Sequence, residues 1–497
     1  MTCASPGSRS TSSTCRPRPR GASASSPHSL PISDMPRRRT SPRPRWPARG
    51  WSGTWCWQPA WSAPNSSMAC STRSDWPGSR SPHPQRPVTD DARVVGPPKA
   101  MSRIVVVGAS LAGHRAALAL RGLGYDGELV VVGGEQHRPY DRFPLSKAYL
   151  TRLVDRAGLA LEDTPADVVW RLGEHATRLD LAGRRVILGD RTVLRFDGLV
   201  VASGARPRDV DLVEGVQGAF VMRTLEDAEA FRSSLESRAR RVVVVGGGLI
   251  GAEVAAHAVA QGHHTTMVDP SDLPTARAVG RPVAEHLRHL HEVAGVHLRH
   301  RTRMRTLDVR AGAVVGVVLE DGSRLPADVV MMATGTTPNV EWLRGSGLLV
   351  SGGLQCGPTL HARGSDRVVG AGDVVRAPQA LLGGESSRVE HWASTLAHAD
   401  LAGANLLAGP GQAQPLTALP TFGTTIHGAR VRAVGFPQVA DRSRVVWGAV
   451  EAGQALVALA RGSQVVAVVS LAAHEHLPCL VDQLSPGRPL DDVVGPS

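Results

Sequence analysis

Gly246, Gly248 and Gly251, followed by an acidic residue at Asp269, are the residue types with which a chain holds a dinucleotide. In RVVVVGGGLIGAEVAAHAVAQGHHTTMVD their spacing is the full GxGxxG. The first glycine makes the tight turn, the second lets backbone approach a pyrophosphate, and the third lets the helix pack on the strand. Free N–H groups at the helix start then favour the anion. Asp269, 18 residues past Gly251, is spaced to accept the adenine-ribose hydroxyls and to repel a 2′-phosphate, which points to NADH over NADPH. A less complete set is Gly108, Ser110 and Gly113 in RIVVVGASLAG, with Glu135 at the end of ELVVVGGE placed for a ribose hydroxyl. Ser110 replaces the middle glycine there, and an ordinary strand, turn and helix is the competing reading. Two such sets in one chain imply a tightly held flavin and a nicotinamide that exchanges, because hydride transfer needs such a pair face to face.

The elements that must position these residues follow from the same stretches. RIVVVG and RVVVVG are continuous apolar runs of the kind that make central parallel strands, and each precedes a helical stretch. LVVASGA and VVGAGD read as further buried strands ending in glycine turns. Near the C-terminus RVVWGAV, QALVALA and QVVAVVSL are separated by short glycine turns, which predicts an antiparallel meander. The expected fold class is α/β, with two Rossmann-like units ahead of that meander.

Composition divides the 497 residues at Met101. Residues 1–100 carry fourteen Arg, one Lys and four Asp, so the net charge of +12 belongs almost wholly to them. They also hold six of the ten tryptophans and 17 of the 36 prolines, with no apolar period that could pack a core. We read this leader as GC-rich DNA translated upstream of, or out of frame with, the gene, with Met101 as the true start. A disordered arm and an Arg/Ser-rich targeting segment are the alternatives, and the prolines count against the helix that import needs. The rest is nearly neutral and lacks aromatics interleaved with its arginines, so nucleic acid is not expected as a partner. It has no apolar run long enough for a membrane span. Only Cys356 and Cys479 follow Met101, which supplies neither a disulfide framework nor a metal site and suits the cytoplasm.

The order of GASLAG, RPYDRFPLSKAYL, FDGLVVASGARPR, GGGLIGAE, ATGTTPN, VVGAGDVV and VEHWAS resembles the flavin-dependent pyridine nucleotide oxidoreductases, in particular their ferredoxin and rubredoxin reductase branch. The resemblance runs from Met101 to the C-terminal sheet. It implies an FAD domain at 101–211 and 328–412, an NAD domain at 212–327, and an α+β interface domain at 413–497. It also implies hydride transfer from NADH to FAD, and single-electron delivery to an iron-sulfur ferredoxin, a small acidic protein that feeds an oxygenase. Monomer and homodimer both remain open. Lys147, the single lysine after Met101, would lie by the flavin and pair with Glu253. Read by itself it would be a lysine in solvent. Arg138 and Arg142 would face the FAD pyrophosphate, and Asp373, after Gly372, the ribityl chain. Ala202, Gly204, Arg208 and Gly335 would line the FAD. Glu390, His391 and Trp392 would lie toward the flavin and nicotinamide, Trp392 being equally readable as a core tryptophan. Arg277 would meet the adenine-ribose side of NADH, or be a surface arginine.

Departures from the resembling pattern are equally informative. Phe143 stands where the family usually has a proline. The common W-S-D-Q stretch falls on Gly423, Thr424, Thr425 and Ile426, which keep only a hydroxyl, at Thr424. Either His427 or backbone groups take over its flavin contacts, or the flavin edge is more open. In HLRHRTRMR a strand would project Arg299, Arg301, Arg303 and Arg305 to one face, as a solvated face or as a contact for an acidic partner. Cysteine separates rival enzymes on this scaffold, because disulfide reductases and peroxide- or oxygen-reducing relatives need a thiol near the flavin. None lies between Met101 and Gln355. Reduction of a small organic acceptor or of oxygen, and a non-enzymatic flavin-bearing regulatory role, are the remaining alternatives.

Overall fold

The computed structural model describes residues 101–236 and 238–496; the leader and its proposed non-coding origin lie outside the described residues. Continuous apolar runs become the centres of two parallel sheets. The first has the order Val368–Gly370, Gly198–Val201, Arg103–Val107, Glu128–Gly133, Val169–Leu172. All four of its pairings are parallel. The second runs His297–Arg299, His264–Val268, Arg241–Val245, Val329–Met332, Ala219–Phe220, again parallel throughout. Ile104, Val106, Val242 and Val244 at their centres are fully buried, as strands covered on both faces require. The helices Leu111–Gly122 and Leu249–Ala260 follow the two central strands, and buried alanines let them lie close to the sheets.

Two antiparallel segments, Ala205–Pro207 and Thr336–Pro338, pair with each other where the chain passes between the two sheets. The strand Val329–Met332 belongs to the second sheet, so the chain returns toward the first only after Met332 and not at residue 328. The C-terminal sheet has the order Thr421–Ile426, Ala429–Gly435, Gln464–Leu471, Gln454–Arg461, Arg442–Ala449, antiparallel throughout. Its last three strands are the expected meander. The arginine run does not form one strand face. His297–Arg299 ends in a turn, where Arg301 adopts φ 51° and its N–H donates to the Ser271 carbonyl, before Met304–Arg310 begins.

Candidate functional site

Glycine in the two turns serves two different purposes. A Cβ on Gly246 would come within 2.3 Å of the Ala333 carbonyl oxygen, and one on Gly251 within 2.0 Å of the Gly246 oxygen. Those glycines let strand, turn and helix approach. A Cβ on Gly248 would meet nothing within 4 Å. Its bareness leaves space over the start of the helix Leu249–Ala260, which has neither a capping side chain nor an acidic residue in its first turn. The first turn repeats this, with Gly108 held against Ala202 at 2.0 Å and Gly113 against Gly108 at 1.8 Å for the added Cβ. Ser110 starts the helix Leu111–Gly122 without capping it. Both helix starts thus keep the unsatisfied amides that suit a pyrophosphate, and both donor sets fit a dinucleotide.

Side chains close each turn. Asp269 accepts from the Gly247 N–H at 2.5 Å and from the Ser271 N–H at 2.8 Å, so the carboxylate also braces the glycine turn. Arg277 is exposed in the short helix Ala276–Val279 beyond it. In the first unit Glu135 pairs with Arg142 and accepts from the Tyr140 hydroxyl at 2.6 Å. Arg142 also donates to Ser110 Oγ at 3.0 Å and to the Arg223 carbonyl at 2.8 Å, which lays the guanidinium across the glycine turn. Arg138 instead stacks over Trp170, 5.4 Å from its ring centroid.

Lys147 and Glu253 come together from the two units. Lys147 lies in the loop after Pro144, Glu253 in the helix of the second glycine turn, and Nζ is 2.9 Å from Oε2. The Glu253 side chain is only 3% exposed. Ser146 Oγ donates to its Oε2 at 2.5 Å and Thr424 Oγ1 to its Oε1, so both oxygens have donors. Ser146 and the role of the Thr424 hydroxyl were not legible beforehand, since nothing in the sequence joins residues 146, 253 and 424. His427 does not turn toward this pair. It shares a 2.9 Å hydrogen bond with His291, tying the Ile426–Ala429 turn to the helix Arg281–Val293.

The remaining residues come from several elements beyond the two glycine turns. Asp373 pairs with Arg223 at 3.1 Å, and Arg388 donates to the Asp373 carbonyl at 3.3 Å. Gly372 has φ 75°, and a Cβ there would lie 2.9 Å from Ala112. Gly204 faces Arg223, while the exposed Arg208 donates its N–H to the Gly335 carbonyl at 3.0 Å. Glu390 is exposed, pairs with Arg388 and accepts from the Thr336 hydroxyl. His391 packs on Phe422 at 4.9 Å, and burial depresses its pKa to about 4 against the opposing charge of Asp373. Trp392 opens the helix Trp392–Ala408 and interacts with Asp141, whose carboxyl burial holds above the usual range. Arg223, Arg388 and Asp141 carried no sequence signal beyond being polar residues in or near the motifs.

Residues 102–399 match the pyridine nucleotide-disulphide oxidoreductase family. The chain belongs to this family. Rhodocoxin reductase of Rhodococcus erythropolis is 32% identical over 377 residues, 74% of this chain and 86% of the relative. The ferredoxin–NAD(+) reductase component of the biphenyl dioxygenase system of Paraburkholderia xenovorans is 33% identical over 364 residues, 72% and 86%. The reductase chain in the structure of the covalent putidaredoxin reductase–putidaredoxin complex superposes with a TM-score of 0.70 at 32% identity, covering 75% of this chain and 90% of that one. Among the described residues, neither cysteine supports the disulfide chemistry that the family name includes. Cys356 is fully buried with its thiol pushed up to about 12 by burial, and Cys479 lies in the short C-terminal helix Leu477–Val481. Among the described residues no helix is long and apolar enough to cross a membrane.

Proposed function

We propose that the chain is an NADH-dependent, FAD-containing ferredoxin reductase that delivers electrons to an iron-sulfur ferredoxin of an oxygenase system. The observation that carries this is the Lys147–Glu253 pair, because it joins the flavin-side loop to the helix of the second glycine turn. FAD bound at the first turn supplies hydride acceptance from NADH and release of electrons one at a time. Everything else is the work of this chain's residues. Lys147 sets a fixed positive charge beside the place where negative charge develops, an arrangement that costs no reorganisation during reaction. Glu253 and Ser146 hold that ammonium in place, and the Ser146 and Thr424 hydroxyls hold Glu253. Asp269 selects NADH by accepting ribose hydroxyls and repelling a 2′-phosphate, and Gly248 leaves room for the pyrophosphate. Arg142 and Ser110 bound the anion at the first turn. Asp373 serves the ribityl chain, Trp392 covers the site from its helix, and Ala202, Gly204, Arg208, Gly335, Gly372, Glu390 and His391 line it. Arg277 meets the adenine end. Arg138, stacked on Trp170, bounds the outer edge of the FAD region. Anaerobic NADH should bleach the purified yellow protein, and oxidised ferredoxin added next should restore its colour; a flavin left oxidised by NADH contradicts the proposal.

A further inference from the structure

Phe143 is 45% exposed, an unusual position for a phenyl ring beside a buried ion pair. Lys147 Nζ lies 4.0 Å from the centroid of that ring and donates to the Phe143 carbonyl at 3.3 Å. The ammonium is therefore held between Glu253 on its buried side and Phe143 on its exposed side. A cation over an aromatic face is attracted by the ring quadrupole, more strongly where water is partly excluded. The Lys147 side chain is 22% exposed, so part of its shielding comes from this ring. At its other end Phe143 donates its N–H to Asp141 Oδ1 at 2.9 Å, and the Asp141 carboxyl in turn interacts with Trp392. One residue thus touches both the Lys147 and the Trp392 sides of the site. A proline at this position has no N–H and no π face, and so makes neither contact.

We propose that Phe143 is a positioning residue: its ring and carbonyl fix the Lys147 ammonium on Glu253, and its N–H fixes Asp141 toward Trp392. The consequence for NADH oxidation rests on the reading of Lys147 as the flavin-side cation. A lysine stem is long and rotamer-rich, so an ammonium tied on one side only would sample other positions. The ring and carbonyl remove that freedom before the reaction begins, which is the condition for electrostatic preorganisation.

Three variants separate the contacts. Phe143→Tyr keeps the π face and the N–H, Phe143→Leu keeps bulk and the N–H, and Phe143→Pro loses both. The full chain has two lysines, Lys99 and Lys147, so protein labelled with carbon-13 in lysine gives two ε-methylene signals, assigned by Lys147→Met. In the FAD-containing protein the Lys147 signal should be displaced upfield by the ring current of Phe143, retain that displacement in Phe143→Tyr, and lose it in Phe143→Leu. By rapid mixing with NADH, Phe143→Leu should slow flavin reduction about threefold to tenfold at unchanged NADH affinity, Phe143→Tyr should match the native rate, and Phe143→Pro should be slower still. A Lys147 signal unmoved by Phe143→Leu overturns the proposal, and so does a moved signal with a native reduction rate. If NADH fails to reduce the native flavin, the functional reading falls, and the lysine signal still decides whether Phe143 holds Lys147.

Discussion

Lys147 is held by Glu253, Ser146, the Phe143 carbonyl and the Phe143 ring, partners drawn from its own loop and from the helix Leu249–Ala260. Replacing it with methionine removes the cation and leaves a carboxylate with 3% exposure to face its two hydroxyl donors alone. Breaking a buried pair from one side costs roughly 3–5 kcal/mol of stability, so Lys147→Met should melt well below the native protein. Adding Glu253→Gln should recover much of that stability by removing the stranded charge, while flavin reduction stays slow by about tenfold, the equivalent of ~1.4 kcal/mol in the barrier. Calorimetry and rapid mixing read the two effects separately; recovery of both together would mean the lysine acts only as a structural partner. Asp269 carries a second residue-scale expectation. Asp269 braces the Gly247 N–H, and the proposed function also gives it the ribose hydroxyls, so Asp269→Asn should keep the turn through its remaining acceptor oxygen, raise the NADH KM and narrow the preference over NADPH. Steady-state kinetics with both nucleotides tests this, and an unchanged ratio of specificities would remove Asp269 from nucleotide selection.

The two glycine turns show what an element needs from its residues. Gly246→Ala puts a Cβ 2.3 Å from the Ala333 carbonyl at φ 109°, where backbone has no side chain to move aside. It should destabilise the fold and cost FAD-independent thermal stability. Gly248→Ala meets no atom within 4 Å and should melt near the native temperature while weakening NADH binding, as seen by titration with NAD(+). Equal effects of the two substitutions on melting would refute this division of labour. The same elements mark how far sequence carries. Both parallel sheets were legible because their strands are apolar runs joined to glycine spacing and a helix. The sheet to which Val329–Met332 belongs was not, since a fully apolar strand fits either parallel sheet equally well. The arginine run failed as a strand because Arg301 and Thr302 donate backbone N–H groups to the Asp269 loop, a long-range tie that alternation of residue types cannot reveal. Thr424 was visible as a surviving hydroxyl, but its bond to Glu253 required the C-terminal sheet to be seated on the second glycine helix.

Across the whole molecule, half-buried and buried imidazoles kept neutral by desolvation make stability sensitive to acid. Burial depresses His257, His391, His398 and His474 to about 4, and His291, which shares its hydrogen bond with His427, to about 3. The unfolded chain takes up protons near pH 6.5 and the folded chain does not, so stability falls as pH drops below 6.5 and levels off only beneath the folded values. His291 is 2% exposed and alone should contribute roughly 1.4 kcal/mol per pH unit in that window. Denaturant melts between pH 7 and 5 should therefore steepen in loss for the native protein and be shallower for His291→Gln; parallel profiles would exclude this histidine from acid sensitivity. The site itself joins all three scales, because one ion pair connects the loop that carries Lys147, the helix of the second glycine turn and, through Thr424, the C-terminal sheet. The most direct test of an NADH-to-ferredoxin path that uses neither thiol after Met101 is rapid mixing of Cys356→Ser/Cys479→Ser protein first with NADH and then with oxidised ferredoxin. Flavin bleaching followed by its return, with ferredoxin reduced at a rate close to the native protein's, is the predicted result; bleaching with no return in the doubly substituted protein would contradict the account.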